Sequence, residues 1–153
     1  MNNNTLTSLL LLSFLILTLS CSSTKEANPN NNSFEKITYQ IFQNGIFVDA
    51  ELDQEPEAIA GEKEFLMTMY RKMNYPAQGR ENGIQGTVKV EVIVNEMGKL
   101  ESSKIAKSLG QDFDKEALSA IRRGFELPFK PAIQNGKSVK VKYQIPVNFK
   151  LHG

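Results

Sequence analysis

Few side chains in this sequence have the type and spacing for chemistry. Cys21 is the only cysteine and His152 the only histidine, so neither an internal disulfide nor a Cys/His metal cluster can be assembled. A structural cysteine is usually found in a core, yet Cys21 sits where the apolar run Leu9–Leu19 gives way to the polar run Ser22–Ser33. That position suits covalent modification of the thiol. Histidine catalysis has little material, since His152 stands alone beside the chain end. Asp112, Asp114 and Glu116 gather at the start of a helical pattern, where capping and the helix dipole account for them. Met67, Met69 and Met73 are soft donors by type, but at helical spacing they read as core filler. No nucleophile is placed beside a base, and "GIQGT" opens a strand instead of a helix, so it is not a phosphate loop. The expectation is a protein that is not an enzyme, with no cofactor and no metal.

Leu9–Leu19 is interrupted only by Ser13 and Thr18. It has the length of a secretory signal core, about 7 to 15 residues, and falls short of the roughly 20 that span a membrane. Its ending "TLSC", Thr18–Cys21, resembles the lipobox of bacterial lipoproteins. The resemblance implies that residues 1–20 are a signal peptide removed before Cys21, whose thiol and new amino group then carry lipid. Two or more acyl chains anchor a protein stably, whereas one binds only marginally. Ser22 in place of an acidic residue directs such a lipoprotein to the outer membrane, facing the periplasm, in preference to the inner membrane. Cleavage by the general signal peptidase around Ser20–Ser22 and an uncleaved anchor stay open as alternatives. Residues 21–33 are the lipidated cysteine and a flexible linker, because Ser22–Ser33 has no large apolar side chain with which to offset its ordering entropy. The twelve residues of Ser22–Ser33 reach at most roughly 40 Å.

The chain holds 153 residues with net charge +1 and 41% hydrophobic content. That is enough for one ordinary domain beyond the leader, and too balanced in charge for a nucleic-acid protein. The domain is expected over residues 34–153. "ITYQIFQNGIFVDAEL" places two β-prone stretches around Asn44-Gly45, a hairpin or one bent strand. A helix over Glu62–Met73 turns Phe65, Leu66, Met69 and Met73 inward and ends before Pro76. Val88, Val90, Val92 and Val94 alternate with Lys89, Glu91 and Ile93 in a strand that turns at "NEMG" into a second. "QDFDKEALSAIRRGF" is a helix with Asp112 as N-cap and Gly124 as stop, burying Phe113, Ala117, Ala120 and Ile121. The last strand, Ser138–Leu151, puts Val139, Val141, Tyr143, Ile145, Val147, Phe149 and Leu151 on one face and Lys140, Lys142, Gln144, Asn148 and Lys150 on the other. Pro146 has no N–H for a ladder, which confines that strand to a sheet edge or a bulge. An edge can take an extended peptide, pair two copies into a homodimer, or be guarded by proline and lysine against both. The fold class is α+β: a small antiparallel sheet of about three strands, with an N-terminal strand or hairpin, packed with two helices.

In order and spacing, "NYPAQGRENGIQGTVKVEVIVNEMGKL", "FDKEALSAIRRG" and "FKPAIQNGKSVKVKYQIPVNFKL" resemble the TonB C-terminal domain. The likeness runs from Tyr75 to Leu151 and is carried by Tyr75-Pro76, Gly83–Val88, Gly98, Asp114–Ala117, Phe129–Ala132, Gly136-Lys137 and the closing "IPVNFKL". It departs at Phe125–Phe129, where the family has a tryptophan or another aromatic before its Pro-Ala pair. The resemblance implies a non-enzymatic domain of the Gram-negative envelope, linked to TonB-dependent transport, that binds a short peptide by strand addition along its last strand. It makes Lys140, Lys142, Gln144, Pro146 and Asn148 the candidate partner edge. The partner is then an envelope protein, such as a TonB-dependent transporter through its N-terminal segment. A whole TonB resembles an inner-membrane helix, a long proline-rich spacer and a terminal domain. Six prolines and a leash of roughly 40 Å fit a lipid-anchored accessory domain. Two alternatives remain: an energy transducer with an uncleaved anchor, and a structural lipoprotein whose Lys137, Lys140, Lys142 and Lys150 meet anionic glycan or lipid.

Overall fold

The computed structural model describes residues 37–151. The expected signal peptide, Cys21, the linker and His152 lie outside them. Among the described residues no helix is long and apolar enough to cross a membrane.

Local chemistry sets each element. β1 (Tyr39–Gln43) and β2 (Ile46–Ala50) form a hairpin. Its two turn residues, Asn44 and Gly45, have φ of 52° and 87°, the left-handed pair that matches strand twist in a two-residue loop. After the short strand β3 (Glu57–Ala58), helix α1 covers Glu62–Tyr70. It stops three residues before the expected Met73, which still packs against the core from the following turn. Helix α2 (Ala77–Glu81), directly after Pro76, was not anticipated. β4 (Gly86–Val94) and β5 (Leu100–Lys107) flank a turn in which the Asn95 side-chain oxygen accepts the N–H of Met97 and of Lys99, each at 3.0 Å.

Helix α3 (Gln111–Gly124) ends at Gly124 as expected, but its start differs from the expected one. Gly110 occupies the cap position with φ 127°, without a side-chain cap. Asp112 instead lies in the first turn, 3.5 Å from Lys115. Asp114 reaches back to the Ser108 hydroxyl at 2.6 Å and the Leu109 N–H at 3.2 Å, tying the approach loop to the helix. β6 (Phe129–Lys130) pairs with β3, and β7 (Ala132–Gln134) with β8 (Lys137–Val139). β9 (Val141–Phe149) closes the chain.

The principal sheet has five strands in the order β2-β1-β9-β4-β5, with every pairing antiparallel. Two-stranded ribbons stand beside it, and together with the helices they make an α+β fold. The three expected strands are β9, β4 and β5, and the expected N-terminal hairpin joins them through β9 to make five. Val88, Val90, Val92 and Val94 of β4 and Val141 and Val147 of β9 are fully buried, in one cluster with Met69, Phe113, Ala117, Ala120 and Ile121 from α1 and α3. One face of the sheet therefore carries the helices. The alternate residues Gln144, Pro146 and Asn148 are exposed on the other.

Aromatic rings close the two ends of this core. Phe65, Phe125 and Phe129 meet at centroid distances of 5.7, 5.4 and 4.4 Å, and Tyr75, Phe113 and Phe149 at 5.6, 6.0 and 4.9 Å. Phe125 and Phe129 thus supply aromatic packing in the stretch where the sequence departs from the family pattern.

Candidate partner-binding edge

Whether β9 can accept another strand depends on which backbone groups point away from β4. In an antiparallel ladder the N–H and C=O of one residue face the same neighbour, and the direction alternates along the strand. The Lys140 carbonyl accepts the Phe42 N–H at 2.9 Å, so the backbone of Lys140 faces β1. By alternation Lys142, Gln144, Pro146 and Asn148 face the same way. Val141, Tyr143, Ile145, Val147 and Phe149 then direct their backbone groups to β4. The nine residue pairs of the β4–β9 ladder pass Pro146 without a break, because its missing donor points outward.

β1 covers only the beginning of that outward side, pairing Gln40 with Lys142 and Ile41 with Val141. Among the described residues no strand continues beyond Tyr39 towards Gln144 and Asn148. The five expected edge residues therefore separate into two groups. Lys140 and Lys142 are not on a free edge, because Tyr39 and Ile41 reach the core by adding β1 there, at 8% and 5% exposure. Their side chains are also engaged. Lys140 Nζ is 2.8 Å from Glu101 and 5.4 Å from the Phe42 ring centroid, and Lys142 Nζ is 4.6 Å from the Phe47 centroid. The Glu101 hydrogen bond raises the Lys140 ammonium above its ordinary pKa.

Gln144, Pro146 and Asn148 keep the open side. The Thr87 hydroxyl donates to Asn148 Oδ1 at 2.6 Å, and the Asn148 N–H donates to the Tyr70 hydroxyl at 3.1 Å. Sequence reasoning missed both the cover and this cap. The alternation of Tyr39 and Ile41 signalled a strand but not its neighbour, and no local signal could place the Tyr70 hydroxyl at the far end of β9. No group of His, Cys, Asp and Glu that could hold a metal occurs among the described residues.

Where β1 leaves β9, Tyr39 and Tyr143 pack with ring centroids 5.2 Å apart. Burial raises the pKa of both. The Glu55 hydrogen bond and charge add to Tyr39, and the charges of Tyr39 and Glu55 add to Tyr143. Above the ordinary tyrosine pKa the unfolded chain releases protons that the folded chain keeps. This contribution is therefore whole below pH about 10 and is lost as pH rises beyond it, by up to about 1.4 kcal/mol per pH unit for each ring. Urea midpoints measured from about pH 9 to about pH 11 should fall, and Tyr143→Phe should make the fall shallower. An identical slope in the variant would contradict the assignment.

The family described as Gram-negative bacterial TonB protein C-terminal matches residues 71–151. Protein TonB of Vibrio cholerae is 32% identical over 98 residues, which are 63% of this chain and 39% of that protein. The chain thus spans well under half the length of that relative. The NMR solution structure of the Helicobacter pylori TonB-CTD is similar at 27% identity and a TM-score of 0.45, covering 62% of this chain and 88% of that one. With more than half of its residues matched, including α3, β4, β5 and the whole of β9, this chain belongs to the TonB C-terminal family.

Proposed function

We propose that the chain is a non-catalytic, lipid-anchored domain of the Gram-negative envelope, which serves TonB-dependent transport by adding an extended partner segment to β9. The observation that supports this reading is the outward backbone of Gln144–Asn148, left without a strand neighbour among the described residues on the last strand of a domain of this family. A strand added there continues the sheet in line with β1, gaining main-chain hydrogen bonds for affinity and side-chain contacts for selectivity. Its natural occupant is an envelope protein, such as a TonB-dependent transporter offering its N-terminal segment. Lipid on Cys21 and a linker reaching roughly 40 Å hold the domain near the outer membrane, on its periplasmic side.

A photo-crosslinking amino acid at Gln144, in living cells, tests the binding mode. Lys104, exposed on β5 and two strands away from Gln144 across β4, is the control. The expected result is capture of a transporter N-terminal segment from Gln144 and none from Lys104. Equal capture at both positions, or capture of a second copy alone, would remove partner strand addition. The intact mass of the mature chain tests the anchor. A diacylglyceryl mass on a chain beginning at Cys21 is expected, and an uncut N-terminus would transfer the domain to the energy-transducer alternative.

A further inference from the structure

We propose that Tyr70 is the end-stop of the partner edge, a hydroxyl that occupies the last outward donor of β9 and confines the added strand to a short window rich in acceptors. The proposal rests on the strand-addition reading above. An ordinary edge offers one donor and one acceptor from each outward residue. Here Gln144 offers both, Pro146 offers only its carbonyl, and the Asn148 N–H is already donated to Tyr70 at 3.1 Å. Among the described residues, one unclaimed outward N–H, on Gln144, therefore stands beside the carbonyls of Gln144, Pro146 and Asn148.

A partner strand must match that imbalance. Its own N–H groups find acceptors along the whole window, whereas its carbonyls find a donor only at Gln144. Each inward-facing N–H that the partner loses to a proline should weaken binding by about tenfold. Carbonyls opposite Pro146 and Asn148 must turn to water, so the partner has to leave the sheet near Asn148. The partner class that fits is a short extended segment without proline at its inward-facing positions.

Tyr70 is placed for this role by a fixed helix end. It is the last residue of α1 and half-buried against the core. The Arg123 guanidinium on α3 ties down that end, donating to the Met69 carbonyl at 3.2 Å and to the Ser119 hydroxyl at 2.7 Å. Phe65, one α1 turn earlier, packs edge-on against Phe125 at 5.7 Å. A hydroxyl held this firmly competes with an incoming carbonyl for the Asn148 N–H.

Tyr70→Phe removes the hydroxyl and keeps the ring, and two readouts on the full chain test the idea. In the free protein, Asn148 amide exchange measured by NMR should accelerate about tenfold in the variant. Unchanged exchange would overturn the cap. In cells, p-benzoylphenylalanine replaces Gln144 or Asn148, a side-chain change that leaves the Asn148 backbone donor in place. Position 144 should capture the partner in both backgrounds. Position 148 should capture the same protein weakly with Tyr70 intact and severalfold more with Tyr70→Phe. Strong capture at 148 with Tyr70 intact would overturn the end-stop and leave strand addition standing. Silence at 144 in both backgrounds, with Asn148 exchange still responding to Tyr70→Phe, would overturn strand addition itself and the role built on it.

Discussion

Phe149→Ala is expected to destabilise the domain by about 3 to 5 kcal/mol, the range for deleting a large ring from a core that cannot collapse around the gap. Phe149 is fully buried at the last position of β9. Its ring stands edge-on to Phe113 at 4.9 Å and to Tyr75 at 6.0 Å. The substitution therefore removes transferred apolar area and two aromatic contacts together, each pair adding about 0.5 to 1.5 kcal/mol beyond area. At about 4 to 8 °C per kcal/mol for a domain of this size, the midpoint should drop by roughly 12 to 40 °C. Phe42→Ala is the comparison. Phe42 is 45% exposed on the hairpin, and its loss should cost about 1 kcal/mol or less. Equal losses for the two phenylalanines, in urea unfolding of the full chain, would contradict the assigned core.

The second large effect concerns a glycine. Gly98 closes the β4–β5 turn with φ 75°, and a Cβ there would land on the Phe129 carbonyl. Gly98→Ala combines left-handed strain of about 1 to 2 kcal/mol with overpacking of about 1 to 3 kcal/mol. The expected loss is about 2 to 5 kcal/mol. Gly136 separates the two terms, since its φ is 71° but nothing lies within 4 Å of a Cβ. Gly136→Ala should lose only the strain term. Should both variants lose the same stability, Gly98 would not be a packing point between the turn and Phe129.

These two residues show what a sequence can disclose. The inward face of β9 was legible, because alternation of Val141, Tyr143, Ile145, Val147 and Phe149 is a local property that the pleat converts directly into burial. The same holds for the valines of β4 and for Phe113, Ala117, Ala120 and Ile121 on α3. The Asn44-Gly45 turn was legible by its left-handed preference. Asn135-Gly136 carries the same signal, with φ of 49° and 71°, and marks the β7–β8 ribbon that the long final strand of the sequence reading concealed. The clash at Gly98 was not legible, because Phe129 arrives from another part of the chain.

Non-local pairing also explains what happened to the candidate edge. Pro146 reads as confining its strand to a sheet edge or a bulge, yet β9 is third of five strands and lacks an outer neighbour among the described residues only over Gln144, Pro146 and Asn148. Lys140 and Lys142 have the same outward alternation, so nothing local distinguished them. The difference comes from the hairpin, whose Tyr39 and Ile41 reach the core by adding to the first part of β9. Asp112 was misread for a related reason: a helix start can be organised by a glycine turn and a later carboxylate, here Gly110 and Asp114, as readily as by a capping side chain.

On the proposed function, the open part of β9 takes an extended partner. Isotope-edited NMR of the full chain with the partner segment captured at Gln144 tests it most directly, by locating cross-strand contacts between the two backbones. Contacts are expected from that segment to Gln144 and Pro146, and none to the outer edge of β5. Contacts confined to β5, or to the helix-covered face, would contradict it.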